Sequence, residues 1–488
     1  MSYELVRDLI DQESWQEALM ELDPLMEAEP ENPLGLFFFG QIMLGSEKPS
    51  IALTIFKRVT ELEPNRPEGW INYGKAVGEL HKYDLEEKYF RKALSLSKEG
   101  DLTKYLATKN LGTSATHICN PDKAIHWANK ALKIEDNPQS HIDLGFAYLQ
   151  KFDFKRGWAE YEHGMGVHKH RDIKQYANEP QWNGEPGKYL VIYGEQGLGD
   201  QILFSEAVRD ARRISKQVIL HVNPKLKNLM SRSFILETHG YGADNNRAWA
   251  NDREITASCS MSSLQRIMRS DGYSGKPYLI PDPRRVCQWD ALLSTLGNKL
   301  NVGIAWSGGV HDTQVSARST ELETLLPLLK TDVNWISLEY KDKSEEIEGF
   351  YKKHGIRIHD YSWGTQTSDY DDTAALVSQL DLVIAVPTTA VHLAGSLGIP
   401  CWCVVNPYPN FVFGIEGDSM PFYNSVKLFR RTKDWNPVIE QIKGELDGLR
   451  HNLSRRAGAS RDIQASDGIS TGGFSEQGTI REGQYTIN

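Results

Sequence analysis

The sequence of 488 residues predicts a multidomain chain, an all-α repeat solenoid followed by an α/β region of two doubly wound units. Three observations predict it. Small and aromatic residues recur with a period of ~34 residues over the first third. Two apolar runs, one near residue 190 and one near 302, each break into a glycine-rich loop and then resume helical spacing. Between and after them, short β-type runs alternate with helical ones, the mark of parallel sheets.

Length alone sets a prior of several domains, since a single core stops growing well below this size. A content of 40% hydrophobic and 25% charged residues is that of a globular chain. The net charge of −10 argues against nucleic-acid binding. The five cysteines, Cys119, Cys259, Cys287, Cys401 and Cys403, show no disulfide-framework spacing, which fits a reducing cytoplasm, and Cys401 and Cys403 are expected as small core residues of a strand. The first residues lack the basic-then-apolar layout of a signal peptide, and no apolar run approaches a membrane span. Between Glu4 and Glu31, Arg7 is the one basic residue among ten acidic ones, a solvated helix face.

The repeat register is carried by Pro33, Leu36, Phe39, Gly40, Ala52, Phe56, Leu62 and Pro64. It returns as Pro67, Trp70, Tyr73, Gly74, Phe90, Ala93 and Leu96. It appears again as Leu111, Gly112, Ala124, Ala131 and Ile134, and then as Leu144, Gly145, Tyr148 and Tyr161. Ala18 and Pro30 mark a degenerate unit upstream. This is the tetratricopeptide pattern, in which small residues let paired helices approach and large ones fill the seams. It predicts a solenoid over residues 1–166 whose concave face suits a protein partner. A polar linker is expected over 167–187. His163, His168 and His170 cluster there without an ordered carboxylate or cysteine set, so an exposed basic connector is expected rather than a metal site.

From Lys188 the chain reads as an N-terminal Rossmann-like unit over 188–290 and a C-terminal one over 291–449. Tyr189–Tyr193 is a strand that breaks at Gly194-Glu195-Gln196-Gly197-Leu198-Gly199-Asp200. Val218–Val222 is a second strand, and Pro224–Met230 a helix. Tyr278–Pro281 reads as extended. The next unit opens with a strand at Leu300–Ala305 and the loop Trp306-Ser307-Gly308-Gly309. A helix Ser319–Leu329, strands Asn334–Leu338 and Leu382–Val386, helices Ala374–Leu380 and Thr388–Leu397, and a last strand Cys401–Val405 follow. Residues 450–488 are polar and cannot repay the entropy of folding, so they read as a disordered tail.

A strand, glycine loop and helix N-terminus together suit an anionic ligand. Asp200 has two readings at this stage, a general base at the mouth of the loop or an N-cap of a helix starting at Gln201. Glu195 is the second carboxylate. The Asp369–Asp372 cluster resembles a metal-binding motif but precedes a helix start, so capping is expected there.

The segments WNGE…LVIYGEQGLGDQILF, GIAWSGG…ARS, DDTAALVSQLDLVIAVPTTAVHLAGSLGIPCW and LFRR…DW, with GWAEYE at the close of the repeats, resemble the tetratricopeptide-repeat glycosyltransferases. Their catalytic half is similar to bacterial heptosyltransferases and has the GT-B fold. The resemblance spans roughly residues 33–445 and implies sugar transfer from a nucleotide-sugar to an acceptor hydroxyl, on a protein or a surface glycan. It implies no cofactor and no metal, and an inverting course. Asp200 would be the base, with Glu195 as substitute. Gln196, Gly197 and Gly199 would form the acceptor loop. Ser307, Gly308, Arg318, Ser319, Thr388, Thr389 and His392 would hold the donor. Pro387 departs from the aspartate of many relatives, and the tryptophan-rich stretch of relatives is missing from Asn406–Pro421. The competing expectations are a non-catalytic scaffold with a decayed transferase half, or a GT-B epimerase or hydrolase of nucleotide-sugars.

Overall fold

The computed structural model describes residues 2–167, 171–242, 247–309 and 318–466, with side chains as far as 451. Ten helices come first, as five hairpins: α1 Tyr3–Asp11 with α2 Trp15–Ala28, α3 Pro33–Gly45 with α4 Pro49–Leu62, and α5 Pro67–Glu79 with α6 Tyr83–Leu96. Then come α7 Leu102–His117 with α8 Pro121–Ile134, and α9 Pro138–Gln150 with α10 Phe154–Tyr161.

The register residues explain the pairing. A methyl group on Gly40 would stand 2.7 Å from the Phe56 ring, and one on Gly74 would stand 2.4 Å from Phe90. In the last repeat, Gly145 meets the Tyr161 backbone at 2.7 Å. Each glycine thus admits the large residue of the next helix, and each such aromatic contributes about 1.5–3 kcal/mol by burial. Asn32, Asn120 and Asn137 cap α3, α8 and α9 with their side-chain oxygens. Every hairpin turns through one residue in the left-handed region: Glu13, Glu47, His81, Cys119 and Phe152, at φ 53–57°.

The α/β region holds two sheets. The first has order β3-β2-β1-β4, all parallel, from β1 Tyr189–Tyr193, β2 Gln217–Val222, β3 Glu237–Gly240 and β4 Ala257–Ser260. The second has order β10-β11-β9-β8-β5-β6-β7. Its strands are β5 Asn301–Ala305, β6 Asn334–Ser337, β7 Ile358–His359, β8 Leu382–Ala385, β9 Cys401–Val405, β10 Ser419–Met420 and β11 Tyr423–Arg430. Among the described residues only β10 pairs antiparallel, at the edge. Renumbered from β5, the parallel strands run 3-2-1-4-5-6, the doubly wound order, and the first sheet repeats its 3-2-1-4 part. In each sheet the order reverses beside the first strand, β1 or β5. There the crevice between outgoing loops opens at the carboxyl ends of the strands.

Several expectations change. Cys401–Val405 is not the last strand: β11 pairs with it in register, Val426 opposite Cys401. In the segment Ser319–Leu329 the helix is confined to Leu326–Leu329. The Thr320 amide donates to the Trp306 carbonyl at 2.9 Å and ties the segment to the β5 loop, and Pro327 fits only a first turn. The boundary at 290 falls inside a helix, Pro283–Ser294, whose Trp289 stacks on Trp363 of the second unit at 4.3 Å. The linker is not an exposed strap. Arg171, Glu179 and Trp182 are at most 4% exposed, and the Trp182 amide donates to the Ser258 carbonyl at 2.7 Å. His168 and His170 lie outside the described residues. The tail expected from 450 is helical as far as Ser466, because it prolongs a helix starting at Asn436 that Val438, Ile439, Ile442 and Leu446 anchor in the core. Extension adds one hydrogen bond per residue without a new nucleus.

One continuous apolar cluster joins Ile142, Leu149, Phe154, Trp158 and Tyr161 of the last repeat to Ile202, Phe204, Leu264 and Phe411 of the α/β region. The last repeat is therefore part of the α/β core.

Candidate functional site

Four loops converge at the carboxyl ends of β1, β4, β5 and β8. After β1, Gly194 is fixed by the Lys174 ammonium, which donates to its carbonyl at 2.7 Å. The helix that follows spans Leu198–Phe204 with Gly197 as N-cap. Asp200 is therefore not the N-cap of a helix starting at Gln201. It is the third residue of a helix that begins earlier, and its carboxylate accepts from the Gly197 amide. That is the reciprocal half of a capping box, compatible with a carboxylate still open to the crevice. Burial first and the Glu195 charge second push the Asp200 carboxyl up to about 6, against the pull of Gly197 N–H and Arg318.

Glu195 is also raised by burial. Its Oε1 accepts from the Ser262 amide and from Gln196 Nε2, each at 3.3 Å. Ser262 lies in the first turn of the helix after β4, so Glu195 joins the two loops at the first sheet's crevice. Below them lies Arg171, 1% exposed, donating to the Tyr161 carbonyl and to Ser262 Oγ, the latter at 3.0 Å. Tyr161, from the last repeat, hydrogen-bonds Gln196 and is pushed up to about 12 by burial and by the charges of Asp200 and Glu195.

After β5, buried Glu339 organises the loop. It accepts from the amides of Trp306 and Ser307 at 2.7 and 2.8 Å and from the Ser307 hydroxyl. The Gly308 amide donates to Ser319 Oγ at 3.1 Å. Ser307, Gly308 and Ser319 thus spend these groups on shaping the loop. A methyl group on Gly308 would stand 2.3 Å from Thr388 Cγ2, so only glycine lets this loop reach the next one.

After β8, Thr388 caps the Thr389–Leu397 helix, its hydroxyl accepting from the Ala390 amide at 3.2 Å. Arg318 donates to the Pro387 carbonyl at 3.2 Å, and burial lowers its pKa while Asp200 opposes that shift. His392 is 8% exposed and lies 3.4 Å from the Tyr423 hydroxyl. Burial first, then Arg318, lowers it to about 4, so it is neutral at physiological pH.

The two halves meet at Gly199. A methyl group there would stand 3.2 Å from His392 Cδ2 and 3.4 Å from Thr389 Oγ1. The acceptor-loop residues and the residues expected to hold a donor therefore share one crevice. Arg318 and Pro387 open into a cavity of about 350 Å³ whose other walls include Asn406, Tyr408, Pro409 and Phe411, and Thr113, His117, Asp143 and Phe146 of the solenoid. That cavity shares Thr113 and His117 with a trough of about 710 Å³ along the concave face, lined by Asn72, Lys75 and Asn110 among others. Burial first, then the Lys109 charge, lowers the Lys75 ammonium's pKa.

Sequence reasoning missed Tyr161, Arg171, Ser262 and Glu339. Glu339 had a signal, an acidic residue just past an apolar strand at the ligand-facing end of a parallel sheet. Arg171 had none, sitting in a stretch that reads as polar linker. The Asp369–Asp372 cluster is held by cations: Arg285 lies 2.8 Å from Asp369 and 2.7 Å from Asp372, and Arg232 pairs with Asp371.

No family model matches this chain. It is 24% identical over 473 residues to Protein FlbA of Caulobacter vibrioides, an alignment covering 83% of this chain and 76% of that protein. Among solved structures, PilW, a widely conserved type IV pilus biogenesis factor, is similar over 43% of this chain and 83% of its own, at 16% identity and a TM-score of 0.32. The pilF protein of Pseudomonas aeruginosa covers 34% of this chain and 76% of its own, at 14% identity and TM-score 0.31. A chain of the APC/C hetero-tetramer Cut9-Hcn1 covers 32%, at 16% identity and TM-score 0.30, and this chain spans 30% of its length. The solenoid is defined by its own five hairpins rather than by these likenesses. Among the described residues no helix is long and apolar enough to cross a membrane.

Proposed function

We propose that this chain is a glycosyltransferase of the GT-B type, moving a sugar from a nucleotide-sugar to an acceptor hydroxyl, with the solenoid holding the acceptor. The observation that carries the reading is the contact at Gly199, which brings Asp200 to the same crevice as Arg318, Thr388, Thr389 and His392. Asp200, titrating at about 6, is ionised at neutral pH and close enough to it to accept a proton effectively. It takes the proton from the acceptor hydroxyl as that oxygen bonds to the anomeric carbon and the bond to the diphosphate breaks. Negative charge growing on the diphosphate meets the Arg318 guanidinium and the N-terminus of the Thr389–Leu397 helix. Neutral His392 serves as a hydrogen-bonding wall rather than a second cation. The continuity of the concave trough with the Arg318 cavity supports a protein acceptor lying along the repeats.

The test is thermal stabilisation by a panel of UDP-, GDP-, ADP- and CMP-sugars, followed by nucleotide release with acceptor present. One nucleotide class should stabilise the protein, and Arg318→Ala should abolish the effect. A flat panel would refute the reading. It would favour a non-catalytic scaffold, for which the Pro387 carbonyl occupying an Arg318 N–H is the supporting observation.

A further inference from the structure

At the end of the solenoid, His141, Glu160 and His163 converge. His141 stands in the first turn of α9, Glu160 in the last turn of α10, and His163 in the 3-10 turn Glu162–Gly164 that follows. Candidate ligand atoms of the three lie within 4.8 Å of one another. The two imidazole rings stack at 3.8 Å between centroids, 9° from parallel. His141 Nδ1 is 2.6 Å from Glu160 Oε2, and its Nε2 is 2.9 Å from Asp136 Oδ1.

From this arrangement we infer that His141, Glu160 and His163 form a site for a divalent transition-metal ion of the zinc type. Two ring nitrogens and one carboxylate oxygen are a donor set for zinc, not for calcium or magnesium, which take oxygen ligands. Glu160 and His163 are three residues apart on a helix running into a 3-10 turn, so both project to the same side, toward α9. Asp136 supplies what metal-binding imidazoles ordinarily have, a carboxylate on the ring nitrogen that does not bind the metal, fixing tautomer and orientation. The ion replaces the proton that His141 and Glu160 otherwise share. Two bonds of ~2.0–2.1 Å at a tetrahedral angle ask the 2.6 Å contact to widen by under about 1 Å, a rotamer adjustment of the partly exposed Glu160. They also ask the exposed His163 ring to turn out of its stack on His141, because lone pairs in two parallel ring planes cannot meet at one ion. Water completes the fourth position. Such a site fastens the turn carrying His163 to α9, where the chain leaves its last repeat. It takes no part in glycosyl transfer.

The experiment uses the full chain, stripped with chelator and titrated with zinc sulfate by calorimetry, and with cobalt(II) followed by its visible absorption. One equivalent should bind with a dissociation constant of about 10 µM or tighter, and cobalt should give the intense bands of a tetrahedral complex. His141→Ala and His163→Ala should each weaken binding at least about tenfold, and Asp136→Asn about 10–100-fold. Glu160→Gln, which keeps the shape and a hydrogen bond to His141, guards against loss through misfolding and should also weaken binding. Circular dichroism of each variant verifies the fold. No binding at about 100 µM zinc to the folded wild type, or stoichiometric binding unchanged in both histidine variants, overturns the inference and leaves His141 a histidine clamped between two carboxylates.

Discussion

Replacing Asp200 with asparagine separates a residue kept for chemistry from one kept for the helix. Burial and the Glu195 charge push Asp200 up to about 6 in the folded chain, against an ordinary value of 3.8. A carboxyl whose folded pKa is raised costs stability when ionised, and the cost appears as pH rises from the unfolded value through the folded one. That rise corresponds to roughly 3 kcal/mol at pH 8, where both states are ionised, and to about half that at pH 5. Asparagine is neutral throughout and can still accept from the Gly197 amide. Asp200→Asn should therefore be more stable than wild type by up to about 3 kcal/mol at pH 8, with the gain about halved at pH 5. Its transfer rate should nonetheless fall by about 10²–10⁴ if it is the base. Urea unfolding at the two pH values and a nucleotide-release assay measure both quantities. A variant less stable than wild type at pH 8 would show that capping dominates. A stable variant with near-normal turnover would remove Asp200 from the chemistry.

The acid limb of kcat/KM should fall near pH 6, and Glu195→Gln should move it to lower pH, because the Glu195 charge is one of the two influences that raise Asp200. A limb that stays in place refutes the coupling. Gly74→Ala drives a methyl to 2.4 Å from the Phe90 ring and should cost about 1–3 kcal/mol in denaturant unfolding. Glu47→Gly, at an exposed turn residue with φ 57°, should act in the opposite sense, raising stability by about 0.5–1 kcal/mol. Arg171→Ala leaves the Tyr161 carbonyl and Ser262 hydroxyl without their buried donor and should cost about 2–4 kcal/mol, read as a lower melting temperature. A change below about 0.5 kcal/mol would mean that the segment carrying Arg171 is only a linker after all.

What was legible in the sequence is what local spacing encodes. Gly40 and Phe56, or Gly74 and Phe90, sit at fixed offsets because each hairpin must close over its own glycine, so the pattern carries the structure. The loops at Gly194–Asp200 and Trp306–Gly309 were legible because an apolar run breaking into glycines has few other uses. Strands β3, β4 and β11 were not: Glu237–Gly240 and Ala257–Ser260 are short and polar in composition, and become strands through pairing with β2 and β1. The burial of Arg171 and the approach of Tyr161 to Gln196 depend on contacts between segments far apart in the chain, which no periodicity reports. The repeat motif likewise ends at Tyr161 without revealing that this tyrosine faces the crevice.

The cluster shared between the last repeat and the α/β region bears on how such a chain can be cut and rejoined. Repeat arrays in water ordinarily finish in a unit with a polar outer face, since an open apolar end aggregates. Here the last hairpin keeps an apolar face as well, and Phe154, Trp158 and Tyr161 on it are buried with Phe204, Tyr273 and Phe411 of the α/β half. The α/β half is the stopper of the superhelix, and the superhelix in turn roofs the crevice. A severed α/β half beginning at residue 167 would expose one side of its own core. An exchange of recognition arrays between proteins of this build should splice ahead of Pro138, where the contacts to the α/β half thin to those of Tyr83, Asp84 and Cys119 with Tyr408 and Pro409, and carry the last hairpin along with the half it seals.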